Sequence, residues 1–398
     1  MRRAAVVSPV RTAVGTFGGS LRDVQVEDLA ATVVKEVMKR TDVDPELIED
    51  VVFAQSYANG ETPCIGRWAA MHAGLPTETP GMQLDRRCGG GLMSIATAAM
   101  MVESGAADVV LAGGVESMSN VEHYTTGARW GKRSGGMTLH DRLDRGRERS
   151  QPTWRYGEIS GMIETADILA AQQGITREAA DEYAVQSHQR AAAAWDAGRF
   201  DDELVSVEVP QRKGDPVIFD RDEGIRPDAS VESLGKLRVL RKDGVVTAGN
   251  ASQQNDAAAA CLIVAEDKLD ELGLTPMGTL VSWTAVGCEP ATMGWGPVPA
   301  VAKLFKKTGM SFNDLDLVEL NEAFAAQVLA VLKGWGWDDQ SKLNVNGGGI
   351  SLGHPIAATG VRIMTTLLHE MQRREARYGL ETMCIGSGQG MAAIFERA

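Results

Sequence analysis

Short apolar runs recur along this chain, and stretches of helical periodicity lie between them. The runs Ala4 to Val7, Val51 to Phe53, Val109 to Ala112, Leu262 to Ala265, Leu280 to Trp283, Leu317 to Leu320 and Met391 to Phe395 predict buried strands. Leu29 to Met38, Leu92 to Val102, Ala179 to Trp195, Val298 to Lys307, Ala323 to Lys333 and Val361 to Met371 predict helices, built mostly from good helix formers. Strands that alternate with helices bury each sheet under helical layers, so the fold class is α/β.

The chain has 398 residues, more than one compact core accommodates, so a site buried between domains is affordable. The formal net charge of -13 argues against a protein that neutralises nucleic-acid phosphates, although a local basic patch can still hold a small anion. Five cysteines, Cys64, Cys88, Cys261, Cys288 and Cys384, are widely spaced and odd in number, so neither a disulfide framework nor a metal site is expected. No apolar run is long enough to span a bilayer, and the N-terminal segment meets Pro9 and Arg11 before a secretory core can develop. A cytoplasmic location is expected, and the C-terminal Glu396-Arg397-Ala398 is not a peroxisomal address.

From about Val121 to Ala248 the strand and helix rhythm breaks, and the stretch is rich in Arg, Gly, Asp and Ser. It reads as an inserted loop domain. On either side of it a Gly-rich turn feeds a helix: Cys88-Gly89-Gly90-Gly91 before Leu92, and Gly353-His354-Pro355 before Val361. The pairing suggests a duplicated architecture.

Four segments carry the chemistry. Cys88 follows Arg86 and Arg87 and enters a helix through three glycines. Helix-start amides and nearby cations would stabilise a thiolate there, and the glycines would let a bulky thioester approach the sulfur. A buried cysteine at a crowded turn fits the same local features. His354 stands apart from His72, His188 and His369 in helical patterns and from His123 and His140 in the insert, because a Gly-rich approach precedes it and Pro355 pins its turn. Cys384 precedes the glycine-spaced turn Gly386-Ser387-Gly388, whose amides could form an oxyanion hole beside a proton-shuttling thiol; a core cysteine at a strand end fits as well. Asn321 lies where a strand gives way to a helix, placed to hold a water or carbonyl oxygen, to cap a helix that begins near Ala323, or to do both.

Taken together, in this order, the four segments resemble the thiolase family. Pro9-Val10-Arg11-Thr12, Gly113-Gly114-Val115-Glu116-Ser117-Met118-Ser119, Ala248-Gly249-Asn250-Ala251-Ser252 and Gly294-Trp295-Gly296-Pro297-Val298-Pro299 extend the resemblance over nearly the whole chain. It implies a thiolase fold of two similar mixed-sheet α/β halves in five α-β-α-β-α layers, with a loop domain covering coenzyme A. Residues 1–120 and 249–270 would form the first half, 121–248 the loop domain and 271–398 the second half.

The resemblance also implies an acyl-CoA acyltransferase that cleaves 3-oxoacyl-CoA with coenzyme A, or runs the Claisen condensation in reverse. Cys88 would carry the acyl group, His354 would activate it, and Cys384 would move the proton to or from carbon. One oxyanion hole would come from His354 and a water on Asn321, the other from the amides of Cys88 and Gly386. Arg226 would lie against the adenine and Ser252 would meet the pantetheine. Met162, Met293, Ala323 and Phe324 would line the substrate channel. Coenzyme A and acetyl-CoA would be substrates, with no permanently bound cofactor, and the assembly would be a homodimer or homotetramer. Fatty-acid β-oxidation is one setting for such chemistry.

Among departures from the family pattern, Asp85, Gly90 and Ala357 leave the catalytic atoms in place, whereas Gly161 and Gln253-Gln254-Asn255-Asp256-Ala257 leave the acyl-chain preference open. Two alternatives stand beside the thiolase reading: a related condensing enzyme, against which Cys384 argues, and a scaffold that binds acyl-CoA without turnover.

Overall fold

The computed structural model describes residues 2–398. Two mixed sheets repeat one pattern. The first holds β1 (Ala4–Thr12), β2 (Asp50–Ala54), β3 (Met82–Leu84), β4 (Val109–Ser117) and β5 (Asn255–Ala265) in the order β3-β2-β4-β5-β1. The second holds β6 (Gly278–Gly287), β7 (Leu317–Leu320), β8 (Tyr378–Ile385) and β9 (Gln389–Arg397) in the order β7-β8-β9-β6. In each the outer pairs are parallel and the inner pairs antiparallel, and a bridge from Val318 to Leu343 stands where β3 stands in the first sheet. The two sheets touch edge to edge where Ala5 and Val6 pair with Thr279 and Gly278.

Helices make the other layers. α1 (Val26–Thr41) and α2 (Ile65–Ala73) cover the outer face of the first sheet, and Val26, Leu29, Ala30, Val33, Val34 and Val37 form the apolar stripe of α1. Between the sheets lie α3 (Gly90–Glu103) and α8 (Thr359–Arg374), which pack on each other. With protein on every side, α8 buries almost all residues from Thr359 to Met371, and α3 joins it in one apolar cluster with strands of both sheets. The segment between β4 and β5 contains α4 (Met162–Gln173) and α5 (Arg177–Asp196); α6 (Pro297–Thr308) and α7 (Ala325–Trp335) pack on the second sheet. The result is the five-layer α/β fold that the resemblance implied. None of the described helices is long and apolar enough to cross a membrane.

Every expected strand and helix has a counterpart, with two instructive differences. β8 carries Glu381 in its middle, fully buried, so its apolar run is interrupted and the strand is hidden in the sequence. α7 begins at Ala325 rather than near Ala323, with Phe324 in extended geometry as its cap.

Candidate active site

The turn that carries Cys88 follows the end of β3. Arg87–Gly89 form one tight turn before α3, and Arg87 adopts φ 49, a left-handed conformation that non-glycine residues seldom take. Asp85 helps to hold it, because the Arg87 amide donates to Asp85 Oδ1 at 2.7 Å. The glycines allow close packing here. A Cβ on Gly89 would sit 2.4 Å from Ile385 Cδ1, and one on Gly91 would sit 2.7 Å from the Val361 nitrogen and 2.8 Å from the Ala357 oxygen. They let α3 dock against the second half of the molecule, and this docking carries Cys88 to the other site residues.

The electrostatic expectation for Cys88 is also corrected. Burial pushes the thiol above its ordinary range; the amides of Gly386 and of Cys88 itself, and the charge of Arg87, pull the other way without prevailing. Cys88 therefore rests as a thiol. The Gly386 amide belongs to the hairpin turn between β8 and β9, where Ser387 and Gly388 both have positive φ.

His354 comes from the corresponding turn of the second half. Gly353 has φ 111, and a Cβ there would meet Asn255 at 2.9 Å, so only glycine gives the chain this path. The His354 amide donates to Asn255 Oδ1 at 2.8 Å, and ring atom Nδ1 lies 2.7 Å from Thr359 Oγ1 at the start of α8. Burial, and then the charge of Arg362, push the imidazole down to about 3, so it rests neutral. Asn321 Nδ2 stands 3.5 Å from both ring nitrogens, and its Oδ1 is buried without a protein partner. Its side chain caps no helix, since the residue at the cap of α7 is Phe324.

Cys384, near the end of β8, is fully buried. Burial first, then the neighbouring Cys88 and Cys288, push its thiol well above the ordinary range, so the proton stays on sulfur at rest. Cys88, His354 and Cys384 all line one cavity of about 610 Å³, with Met162, Ser252, Met293, Ala323 and Phe324 in its wall. The Ser252 amide donates to the Ala323 oxygen at 2.9 Å and Ala251 bridges to Phe324, which ties the two wall segments together.

Arg226 lies outside this cavity. It borders an adjoining compartment of about 420 Å³ that shares Ala248, Ala251 and Gln253 with the first, and the Arg226 amide donates to His188 Nδ1 at 3.2 Å. Of the basic residues in the inserted segment, Arg147 and Arg241 line the thiol cavity, whereas Arg142, Arg145 and Arg149 line a separate one of about 870 Å³ beside Tyr57 and Arg87.

Sequence reasoning missed three positioning residues. Asn255 was read only as part of a departure from pattern, and Thr359 carried no signal. Glu116 was seen only within a family-like stretch, yet its buried carboxylate accepts from the amides of Ser56 at 3.2 Å, Tyr57 at 3.1 Å and Ala357 at 3.3 Å. It thereby ties the end of β2 to the turn that carries His354. Burial outweighs these bonds and pushes Glu116 up to about 7.

Comparison with known proteins bears on this constellation. The pattern of the thiolase N-terminal domain matches residues 4–267 and that of the thiolase C-terminal domain residues 274–397. The chain is 49% identical to an acetyl-CoA acetyltransferase of Chromobacterium violaceum over 99% of both chains. It is 45% identical to the β-ketothiolase BktB of Cupriavidus necator over 100% of this chain and 99% of the relative. Among solved structures, human mitochondrial 3-ketoacyl-CoA thiolase superposes with a TM-score of 0.94 at 40% identity, covering 100% of this chain and 99% of that one. With both family domains matched in order and the fold shared from end to end, the chain belongs to the thiolase family.

Proposed function

We propose that this thiolase moves an acyl group between coenzyme A and Cys88, cleaving 3-oxoacyl-CoA or condensing two acyl-CoA molecules in reverse. The observation that carries this reading is the convergence of Cys88, His354 and Cys384, far apart in sequence, on one cavity. In the cleavage direction His354 takes the Cys88 proton and the sulfur attacks the 3-oxo carbon. The bond between C2 and C3 breaks, its electron pair passes to C2, and Cys384 supplies the proton that completes acetyl-CoA. The thiol of a second coenzyme A then gives its proton to Cys384 and attacks the acyl-Cys88 thioester. Cys88 leaves and recovers its proton from His354, so the cycle closes in balance.

Two negative oxygens form along this path. The amides of Cys88 and Gly386 would hold the tetrahedral oxyanion, and His354 with a water on Asn321 would hold the enolate. Both groups are preorganised by packing, which is what such stabilisation requires. Ser252, Met162, Met293, Ala323 and Phe324 would line the pantetheine and acyl path. Arg226 would meet the adenine end in the adjoining compartment, with residues 121–248 as cover. Coenzyme A is thus a substrate, and we assign no permanent cofactor. A homodimer or homotetramer in the cytoplasm is our expectation by analogy with the family, and a role in fatty-acid β-oxidation is one use of the reaction.

The test is coenzyme A-dependent cleavage of 3-oxoacyl-CoA thioesters from acetoacetyl-CoA to long and bulky chains, with Cys88→Ala as control. Turnover that vanishes with Cys88 supports the assignment, and the best chain length names the substrate range. Turnover retained by Cys88→Ala removes Cys88 as the nucleophile.

A further inference from the structure

Register places Glu319 of β7 beside Glu381 of β8, and because the strands are parallel neighbours the two carboxyls share one face of the sheet. α8 packs on both strands and carries Arg362. All three side chains are buried, at 4%, 0% and 1% exposure. Among the described residues, Nε, Nη1 and Nη2 of Arg362 have no hydrogen-bond partner, nor has either carboxyl oxygen of Glu381, nor Oε2 of Glu203. The surrounding groups are committed elsewhere. Arg11 of β1 holds Glu203 at 2.6 Å and Asp222 at 2.8 Å, Thr366 donates to Glu203 at 3.0 Å, and Glu370 binds Asn346 and Arg373 at 3.1 Å.

Buried polar groups in native proteins are hydrogen-bonded, through internal water where protein atoms do not reach. A set of unpartnered donors facing unpartnered acceptors in one interior is a site for such water. Its position matters, because the elements that form it also form the active site. Asn321 follows Glu319 by two residues, Cys384 follows Glu381 by three, and Thr359, which holds His354, precedes Arg362 by three, one turn along the same helix face.

We propose that Arg362, bridged by internal water to Glu319 and Glu381, is a positioning residue for the thiolase reaction: its fixed charge behind Thr359 opposes a second positive charge on His354. The inference rests on His354 as the base for Cys88. Arg362 is the charged group that acts on the His354 ring, after burial itself. Burial pushes Glu319 up to about 8 and Glu381 well above its ordinary value, which weakens the tendency of these carboxyls to cancel that charge. The other charged groups facing Arg362 are Arg11, Glu203 and Asp222, and the Arg11 charge is taken up by its two acidic partners. The consequence is an imidazole that rests neutral and, once protonated, readily returns its proton to the Cys88 sulfur.

The experiment is the rate of Cys88 alkylation by iodoacetamide against pH in the full-length enzyme. Arg362→Met is expected to alkylate faster at neutral pH, by roughly threefold to tenfold, with its midpoint displaced to lower pH, because the thiolate-imidazolium pair forms more easily. Arg362→Lys keeps the charge and is expected to stay near wild type. A folded Arg362→Met enzyme with an unchanged or slower rate overturns the proposal. If that variant does not fold, Arg362→Met combined with Glu381→Gln is the decisive protein, read by the same criterion. Should neither fold, a crystal structure of the wild type decides: water between Arg362 and the two carboxyls supports the bridge, and a dry contact overturns it. His354→Ala separates the two readings. Alkylation that fails to slow in that variant removes His354 as the base, whereas slowing there with no change in Arg362→Met overturns the Arg362 inference alone.

Discussion

Asn321 Nδ2 lies equally far, 3.5 Å, from both ring nitrogens of His354, while Asn321 Oδ1 is buried and unpartnered. At that distance the amide makes no strong bond to the ring. It stands over the imidazole with its own hydrogen-bonding capacity in reserve, as a residue that holds an oxygen ligand beside the ring would stand. Asn321→Ala is therefore expected to lower kcat by roughly a hundredfold, the usual cost of one preorganised donor, with a much smaller change in KM. Steady-state kinetics on acetoacetyl-CoA measures this. A kcat within a few-fold of wild type would show that Asn321 holds nothing the reaction uses.

Cys384 keeps its proton at rest and Cys88 sits beside it, so their roles separate experimentally. Cys384→Ala is expected to accept an acetyl group from acetyl-CoA onto Cys88 yet to exchange no carbon-carbon bond. Intact-mass measurement reads the first and a condensation assay the second. Normal condensation by this variant would end the assignment of Cys384 as the carbon acid and base.

Glu116 joins the two halves next to the site through three backbone amides. Glu116→Ala leaves those amides buried and unpaired, which costs about 1–3 kcal/mol apiece at most. The expected result is a lower urea midpoint together with a fall in kcat, since Ala357 follows His354 by three residues. Wild-type stability and rate in the variant would mean that the His354 turn holds its place without Glu116.

Buried ionisable groups set the dependence of stability on pH. His354 and His188 have folded values of about 3 and about 4 against an ordinary 6.5. Their contribution is complete above 6.5 and is lost as pH falls through those values, because the unfolded chain takes up protons first. Glu319 runs the other way: raised from 4.5 to about 8, it contributes fully below 4.5 and the contribution is lost as pH rises through about 8. Urea midpoints taken from about pH 4 to about pH 9 are expected to fall at both ends. Glu319→Gln should lessen the alkaline fall, the remainder of which comes from Glu116 and Glu381, and leave the acid side unchanged; an identical alkaline slope in the variant would contradict the assignment.

Gly91 sits where α3 meets α8, with no room for a methyl group against backbone atoms of Ala357 and Val361. Gly91→Ala is expected to destabilise the fold by about 1–3 kcal/mol, the cost of overpacking, and to reduce acylation because Cys88 rides on that contact. Melting curves and a single-turnover acylation assay test the two effects. An unperturbed variant would show that the helices yield more than their contact implies.

Much of this architecture was legible in the sequence. Strand runs such as Leu317 to Leu320 and helices such as Val361 to Met371 announce themselves by composition and period, because burial on one face or on all of them selects apolar residues at fixed spacing. Cys88, His354 and Cys384 were legible because each sits in an unusual Gly-rich turn. Asn255, Thr359 and Glu116 were not, since hydrogen-bonding side chains of these types occur everywhere and acquire a role only when the fold brings their partners within 3.3 Å.

By itself, then, the sequence determined the layered α/β class, the family and the candidate reactive side chains, all of which depend on local pattern. The tertiary structure decided their electrostatic state. Arg86 and Arg87 beside Cys88 argued for a lowered thiol, but desolvation of the assembled cavity outweighs nearby charge and leaves the thiol raised. Burial is a property of the whole fold, so the direction in which Cys88, His354 and Cys384 are each shifted could be read only once both halves had closed around them.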